Sequence, residues 1–409
     1  MTEADRFSPA PGELPPRRIA VLLIDDQPMV GEAVRRMLLS ETDIDFHFCT
    51  IPEQAIATAR EVHPTVILQD LVMPGVDGLD LVQYFRDEET TRNIPLLVLS
   101  SEENARVKAA SFERGANDYL IKLPAREELI ARIRYHSNGY IHWLERNDAF
   151  EAIVRTQEHL AAELAEAADY VQSLLPPPLS DPIATSWKFI PSTSLGGDGF
   201  GYHWLDDDHF AIYLLDVAGH GVGAALLSVS VLEELRSQNL PHTDFYNPAD
   251  VLHQLNRSFQ MREHNQKFFT IWYGIFDRRT RELTYATGGH PPAILLHGDT
   301  PADATRAELK APGAMIGGLD NAEYTNAVIT VKAWNCLYIF SDGTFEIILP
   351  DDSMWDFQAF LRVLTTPDAT GHYPDVDRIH AAIAAVKGDE AFDDDFSLLR
   401  IVFPPENAR

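Results

Sequence analysis

The stretch Leu195–Gly223, LGGDGFGYHWLDDDHFAIYLLDVAGHGVG, restricts what its surroundings can fold into more than any other part of the chain. Gly201–Leu205 and His209–Asp216 are rich in aromatic and β-branched residues and predict two strands. Asp206, Asp207 and Asp208 form the turn between them. A hairpin folded about residue 207 sets Asp198 opposite Asp216. Directly opposed residues have Cβ atoms ~4.5–5.5 Å apart. Two ionised carboxylates at that range repel, so a proton or a cation is expected between them. Gly196, Gly197 and Gly199 flank one acid, and Gly219, Gly221 and Gly223 follow the other, leaving room for backbone to approach a ligand. A hard divalent cation held by oxygen fits this pattern. Two aspartates capping turns at the hairpin mouth fit it too.

With 409 residues, two or three domains are expected. The formal net charge of -29 argues against a nucleic-acid-binding output and against docking on anionic membrane. Cys49 and Cys336 lie in separate predicted strands, which is reduced, cytoplasmic usage rather than a disulfide framework. There is no signal peptide and no apolar run long enough to span a bilayer. Residues 1–17, rich in Pro and polar groups, predict a disordered tail.

Between residues 18 and 137, strand-like runs (19–24, 46–50, 65–69, 96–99 and 118–121) alternate with amphipathic helical segments, one of them at 126–135. This predicts a five-strand, doubly wound α/β domain with its site at the carboxyl ends of the strands. Asp25, Asp26, Asp70, Ser100 and Lys122 stand at those ends. Asp25 and Asp26 suit Mg²⁺, Asp70 a nucleophile for phosphoryl transfer, and Ser100 and Lys122 the phosphoryl oxygens. LLIDDQP (22–28), ILQDLVMPGVDG (67–78), PLLVLSS (95–101) and GANDYLIKLP (115–124) resemble the receiver domain of two-component response regulators. The resemblance implies phosphorylation of Asp70 by a sensor histidine kinase, with Mg²⁺ held by Asp25, Asp26 and Asp70. It also implies that Ser100 and an inward-swinging Tyr119 carry the signal to the opposite face. Leu123 departs from the family, in which Pro directly follows the lysine; here Pro124 comes one residue later.

Residues 138–178 carry apolar or small residues at Trp143, Phe150, Ile153, Leu160, Leu164, Ala167, Val171 and Leu174, a heptad seam from Leu160 onward. A long linker helix needs a partner for such a seam. A parallel two-stranded coiled coil, hence a homodimer, is expected, with packing on the protomer's own domains as the alternative. Pro176, Pro177 and Pro178 stop the helix.

From 179 to 405, strand-like runs dominate, with two helices after the hairpin and two near the end. The pattern predicts an α+β domain built on a β-sandwich flanked by helices. Asp342 follows LYIFS, and Asp393, Asp394 and Asp395 precede the last strand. With Asp198 and Asp216 these form a four-point carboxylate site, of the kind that holds two divalent cations ~3.5–4 Å apart and makes water a nucleophile at neutral pH. No serine nucleophile elbow and no Cys–His arrangement accompanies them.

QSLLPPPL (172–179), LGGD (195–198), DVAGHGVGAAL (216–226), GGHPP (288–292), SDG (341–343) with Glu346, and DDFSLL (394–399) resemble PPM-type serine/threonine protein phosphatases of the SpoIIE-like bacterial branch. By that resemblance, Asp198 and Asp216 bridge two Mn²⁺ or Mg²⁺ ions. The Val217 carbonyl is a further ligand, Asp342 and Asp394 complete one ion, and the role of Asp395 stays open. The family places a second acid after two further residues beyond Gly-Gly-Asp, where this chain has Gly201. His220 and His290 beside the motifs are either proton donors to the leaving serine or turn-packing residues.

The resemblances together imply a response regulator with a phosphatase output, acting on a phosphoprotein such as an anti-sigma-factor antagonist. The alternative is a weak or inactive phosphatase-fold module that binds a partner under receiver control. GGDGF (196–200) is similar to the GGDEF motif of diguanylate cyclases, but Gly199 replaces the catalytic glutamate, and that family does not account for the motifs at 216 and 342.

Overall fold

The computed structural model describes residues 17–405 except 102–103, 263–265, 351, 370 and 389–391. All but the last residue of the expected tail therefore lies outside the described residues. The chain divides into two compact units, residues 1–158 and 159–409.

In the first unit, β1 (Ile19–Ile24), β2 (Ile44–Cys49), β3 (Val66–Asp70), β4 (Leu96–Ser100) and β5 (Asp118–Ile121) form a parallel sheet of order β2-β1-β3-β4-β5. Helices α1 (Pro28–Leu38), α2 (Ala55–Val62), α3 (Gly78–Asp87) and α4 (Ala105–Glu113) connect them. Strands such as IAVLLI are apolar on both faces because helices cover both sides of the sheet. The crossover from β1 past β2 to β3 puts the switch in strand order where β1 and β3 end, beside Asp25 and Asp70.

Helix α5 (Arg126–Ser173) runs 48 residues without a break. Leu129, Ile133 and Ile141 bury in the first unit's core. At the join expected between receiver and linker, Ser137 is buried in mid-helix and its Oγ accepts from the Thr65 hydroxyl at 3.0 Å. The helix expected to end near Tyr135 and the linker helix are thus one element. Further along, Phe150, Ile153 and Leu160 are 54–66% exposed.

The second unit has four layers. One antiparallel sheet contains β7 (Gly199–Trp204), β8 (His209–Val217), β9 (Phe269–Asp277), β10 (Glu282–Gly288) and β13 (Ala327–Thr330), in the order β13-β10-β9-β8-β7. The other contains β6 (Ala184–Ile190), β11 (Ala293–Gly298), β12 (Thr305–Leu309), β14 (Trp334–Phe340) and β15 (Phe396–Val402), in the order β12-β11-β14-β15-β6. Alternation along the strands decides what faces what. In β8, Ile212 and Leu214 enter the core between the sheets, while Ala211, Tyr213 and Leu215 face α6 (Val222–Ser237) and α7 (Pro248–Ser258). On the outer side of the second sheet, Tyr338 and Phe340 pack on α8 (Phe357–Thr365) and α9 (Val376–Lys387). Strand β12 was not expected from the sequence. It is an edge strand with mostly exposed residues, TRAEL, so no apolar alternation marks it.

Candidate functional site

The hairpin turns about residue 207 as the sequence demands. Leu215 pairs with Gly199, which puts Asp198 and Asp216 at the next opposed position. Both fall on the face of the sheet that looks toward the other sheet. Asp342 follows β14 and Asp394 precedes β15, so the four acids meet at one end of the sandwich, two from each sheet.

Asp198 is buried, and neither carboxylate oxygen makes a well-formed hydrogen bond among the described residues, although the Ser397 and Ser341 hydroxyls lie near enough to favour its charged form weakly. Burial, then the charges of Asp216 and Asp395, push its pKa well above the usual carboxylate range. Asp216 is pushed up to about 8, first by burial and then by Asp342 and Asp394. Burial raises Asp342 as well, followed by Asp394 and Glu346. These groups cannot all ionise together without a compensating cation. A buried carboxylate without a well-formed hydrogen bond, set among hard oxygen donors, fits divalent metal.

The glycines of the motifs have individual causes. A Cβ on Gly196 would lie 2.8 Å from the Asp395 carboxylate, and one on Gly197 would lie 2.9 Å from the Val217 carbonyl oxygen. The loop carrying Asp198 therefore closes against both. Asp395 holds that loop. Its Oδ1 accepts from the Ser192 amide (2.8 Å) and hydroxyl (3.0 Å), and its Oδ2 from the amides of Gly197 (2.5 Å) and Asp198 (3.3 Å). Asp395 is buried, whereas Asp394 is exposed and faces Asp216 and Asp342. The acidic run hid this division of labour, because both residues read alike as turn aspartates.

Gly201 lies on the other face of β7, away from the acids. A Cβ there would run into the Tyr213 ring, on the side facing α6. A carboxylate at 201 would not point toward Asp198. Thr270, opposite Asp216 on β9, brings a buried hydroxyl without a hydrogen-bond partner to the site. The polar residue in FTIWYGIF was the signal for it. His290 is buried; its Nδ1 bonds the Pro291 carbonyl at 3.0 Å, and burial lowers its pKa to about 4. Its Nε2 is shut from solvent. Burial and the bond to Pro291 favour packing over proton donation for His290, which lines the cleft holding Asp216 and Asp342, while His220 is exposed.

In the first unit, one ligand atom from each of Asp25, Asp26 and Asp70 lies within 4.8 Å of the others, a set that fits Mg²⁺. The Lys122 ammonium reaches Asp25 Oδ2 at 2.8 Å and Asp70 Oδ2 at 2.9 Å. Burial works against the Lys122 charge, but its bonds to Asp25 and Asp70 outweigh it and raise the pKa. Burial in turn raises Asp25. Ser100 is buried at the end of β4, and Tyr119 is 8% exposed with the Lys108 ammonium 5.8 Å from its ring centre. Leu123, where the motif departs from the family, takes a left-handed backbone (φ 57) and is half exposed. A non-glycine residue is uncommon in that region. The departure from the family thus coincides with a left-handed residue directly after Lys122, and the Lys122 contacts to Asp25 and Asp70 are in place.

Residues 21–134 match the response regulator receiver domain, and residues 206–404 match stage II sporulation protein E (SpoIIE). Phosphoserine phosphatase RsbP of Bacillus subtilis (strain 168) is 29% identical over 178 residues, 42% of this chain and 42% of that protein. Phosphoserine phosphatase RsbU of the same organism is 28% identical over 193 residues, 46% of this chain and 55% of that protein. The chain spans about half the length of these relatives. The SiaA-PP2C domain of Pseudomonas aeruginosa superposes with a TM-score of 0.50 at 21% identity, covering 61% of this chain and 98% of that one, a likeness of fold.

Proposed function

We propose, for a chain that joins a response regulator receiver domain to a SpoIIE-family phosphatase domain, that phosphorylation of Asp70 by a sensor histidine kinase controls hydrolysis of a phosphoserine or phosphothreonine on a protein. The observation that carries the output half is the buried Asp198 carboxylate, without a well-formed hydrogen bond and opposed to Asp216, with Asp342 and Asp394 converging from the other sheet. We assign residues 18–137 to the receiver, 138–178 to the linker and 179–405 to the phosphatase.

Asp198, Asp216, the Val217 carbonyl, Asp342 and Asp394 would hold two Mn²⁺ or Mg²⁺ ions, which when bound polarise the phosphoryl group and supply an activated water. The chain does the rest. Asp395 fixes the loop that presents Asp198, so the acids need not reorganise on binding. The sheets close the site on one side and leave a cleft on the other. In the receiver, Asp70 accepts the phosphoryl group while Lys122 stands ready for its oxygens. The exposed Phe150, Ile153 and Leu160 of α5 favour pairing with a second copy, which would place two outputs under two receivers. The two relatives named phosphoserine phosphatase support the reaction. An anti-sigma-factor antagonist is the substrate we favour, on the sequence resemblance.

The binding-module alternative rested on Gly201, and that position points away from the acids. Turnover of a phosphoserine peptide with Mn²⁺, compared between wild type and Asp216→Asn, tests the enzyme directly. Equal rates in the two would overturn the assignment.

A further inference from the structure

We propose that the cleft leading from Asp216 and Asp342 past Phe345 and Phe357 to Lys310 is a peptide subsite, selecting phosphorylated segments that carry an apolar residue and an acidic residue near the phosphate. The inference rests on the phosphatase reading above.

The cleft has a volume of about 500 Å³ and lies entirely in the second unit. That volume is typical of sites for whole drug-sized ligands, ~300–1,000 Å³, so a phosphoserine side chain fills only part of it. Two candidate metal ligands, Asp216 and Asp342, line it. Phe345 and Phe357 line it too, half-buried and edge-to-face with ring centres 4.8 Å apart. Both rings lean on the fully buried Phe360, at 5.8 and 6.1 Å. This apolar wall is held in place before any ligand arrives, so an apolar side chain docks there without an ordering cost.

Lys310 closes the set. It is exposed just past β12, lines the same cleft, and makes no ion pair among the described residues. It is the one Lys or Arg among the residues lining the cleft, whose acids are Asp216, Asp342 and Glu346. Asp216 and Asp342 are candidate metal ligands, so Glu346 and the exposed Lys310 are the charges left to meet a substrate side chain, and Lys310 is the one that attracts an acid. It attracts a carboxylate held a short distance from the phosphate, and it repels a basic residue there.

The test uses the full-length protein with Mn²⁺ and two phosphoserine peptides that differ only in carrying Glu or Lys beside an apolar residue. p-Nitrophenyl phosphate is measured alongside. Wild type is expected to favour the Glu peptide in kcat/KM by roughly fivefold, the scale of one exposed ion pair. Lys310→Glu is expected to reverse the order. Phe357→Ala is expected to raise KM for a peptide with Leu at the apolar position and to change little for the Ser version. Hydrolysis of p-nitrophenyl phosphate with no peptide preference, or a preference that Lys310→Glu leaves in place, overturns the subsite and spares the phosphatase. Hydrolysis of none of the substrates overturns both.

Discussion

Tyr213 lies across Gly201, its register partner on the neighbouring strand, and occupies the space a side chain at 201 would need. An aromatic ring covering a glycine on an edge strand is a known stabilising device, and here it faces α6 rather than the acids. Gly201→Asp should therefore not tighten metal binding. It should destabilise the protein by about 1–3 kcal/mol through overpacking against Tyr213. Urea denaturation and a Mn²⁺ titration followed by electron paramagnetic resonance check both halves. A tighter Mn²⁺ site in the variant would mean that 201 reaches the acids after all.

Four donors converge on the two carboxylate oxygens of Asp395. In Asp395→Asn one of those oxygens becomes an amide that faces N–H donors. The expected loss is about 1–3 kcal/mol of stability and roughly 10–100-fold in Mn²⁺ affinity, as for other residues that orient metal ligands. Mn²⁺ binding measured by calorimetry decides it, and an unchanged affinity would assign Asp395 to folding alone.

His290 gives a pH dependence of known sign. Burial lowers its folded pKa to about 4, against an ordinary 6.5, so the fold favours the neutral ring. The resulting stability is complete above the unfolded value and is lost as pH falls toward 4. By linkage this amounts to about 3 kcal/mol between pH 7 and pH 4. Wild type should lose that much more stability over this window than His290→Gln, as measured by chemical denaturation at each pH. Parallel losses in the two proteins would show that His290 takes up its proton without cost.

Asp70 sits with Asp25 and Asp26 around one small volume, bonded to Lys122. Asp70→Asn should abolish phosphorylation by a small phosphodonor with Mg²⁺, seen as loss of the retarded band on a phosphate-affinity gel. Mn²⁺-dependent hydrolysis by the output should persist but no longer respond to the donor. A retarded band in the variant would place the phosphoacceptor elsewhere.

Much of the site was legible because the relevant spacings are local. One turn at Asp206–Asp208 fixes the register that opposes Asp198 to Asp216, and strand ends display Asp25, Asp70 and Asp342. Asp395 was not legible, because its partners at Ser192 and Gly197 lie about half the chain away and nothing local separates it from Asp394. The direction of Gly201 was available from strand alternation, since positions 198 and 201 differ by an odd number and face opposite sides. The family resemblance marks Gly201 as a missing acid, but that parity puts it on the face away from Asp198. The continuity of α5 escaped because the apolar pattern changes near Ser137, where the helix leaves the receiver core while its backbone continues.

The most direct measurement is hydrolysis of a phosphoserine peptide with Mn²⁺ by wild type and Asp216→Asn, each with and without a phosphoryl mimic on Asp70. Wild type is expected to show Mn²⁺-dependent turnover that changes with the state of Asp70, and Asp216→Asn turnover lower by at least roughly a hundredfold, a loss of about 2.7 kcal/mol or more in transition-state stabilisation. Equal turnover in the two proteins, or none from wild type in either receiver state, would contradict the phosphatase reading.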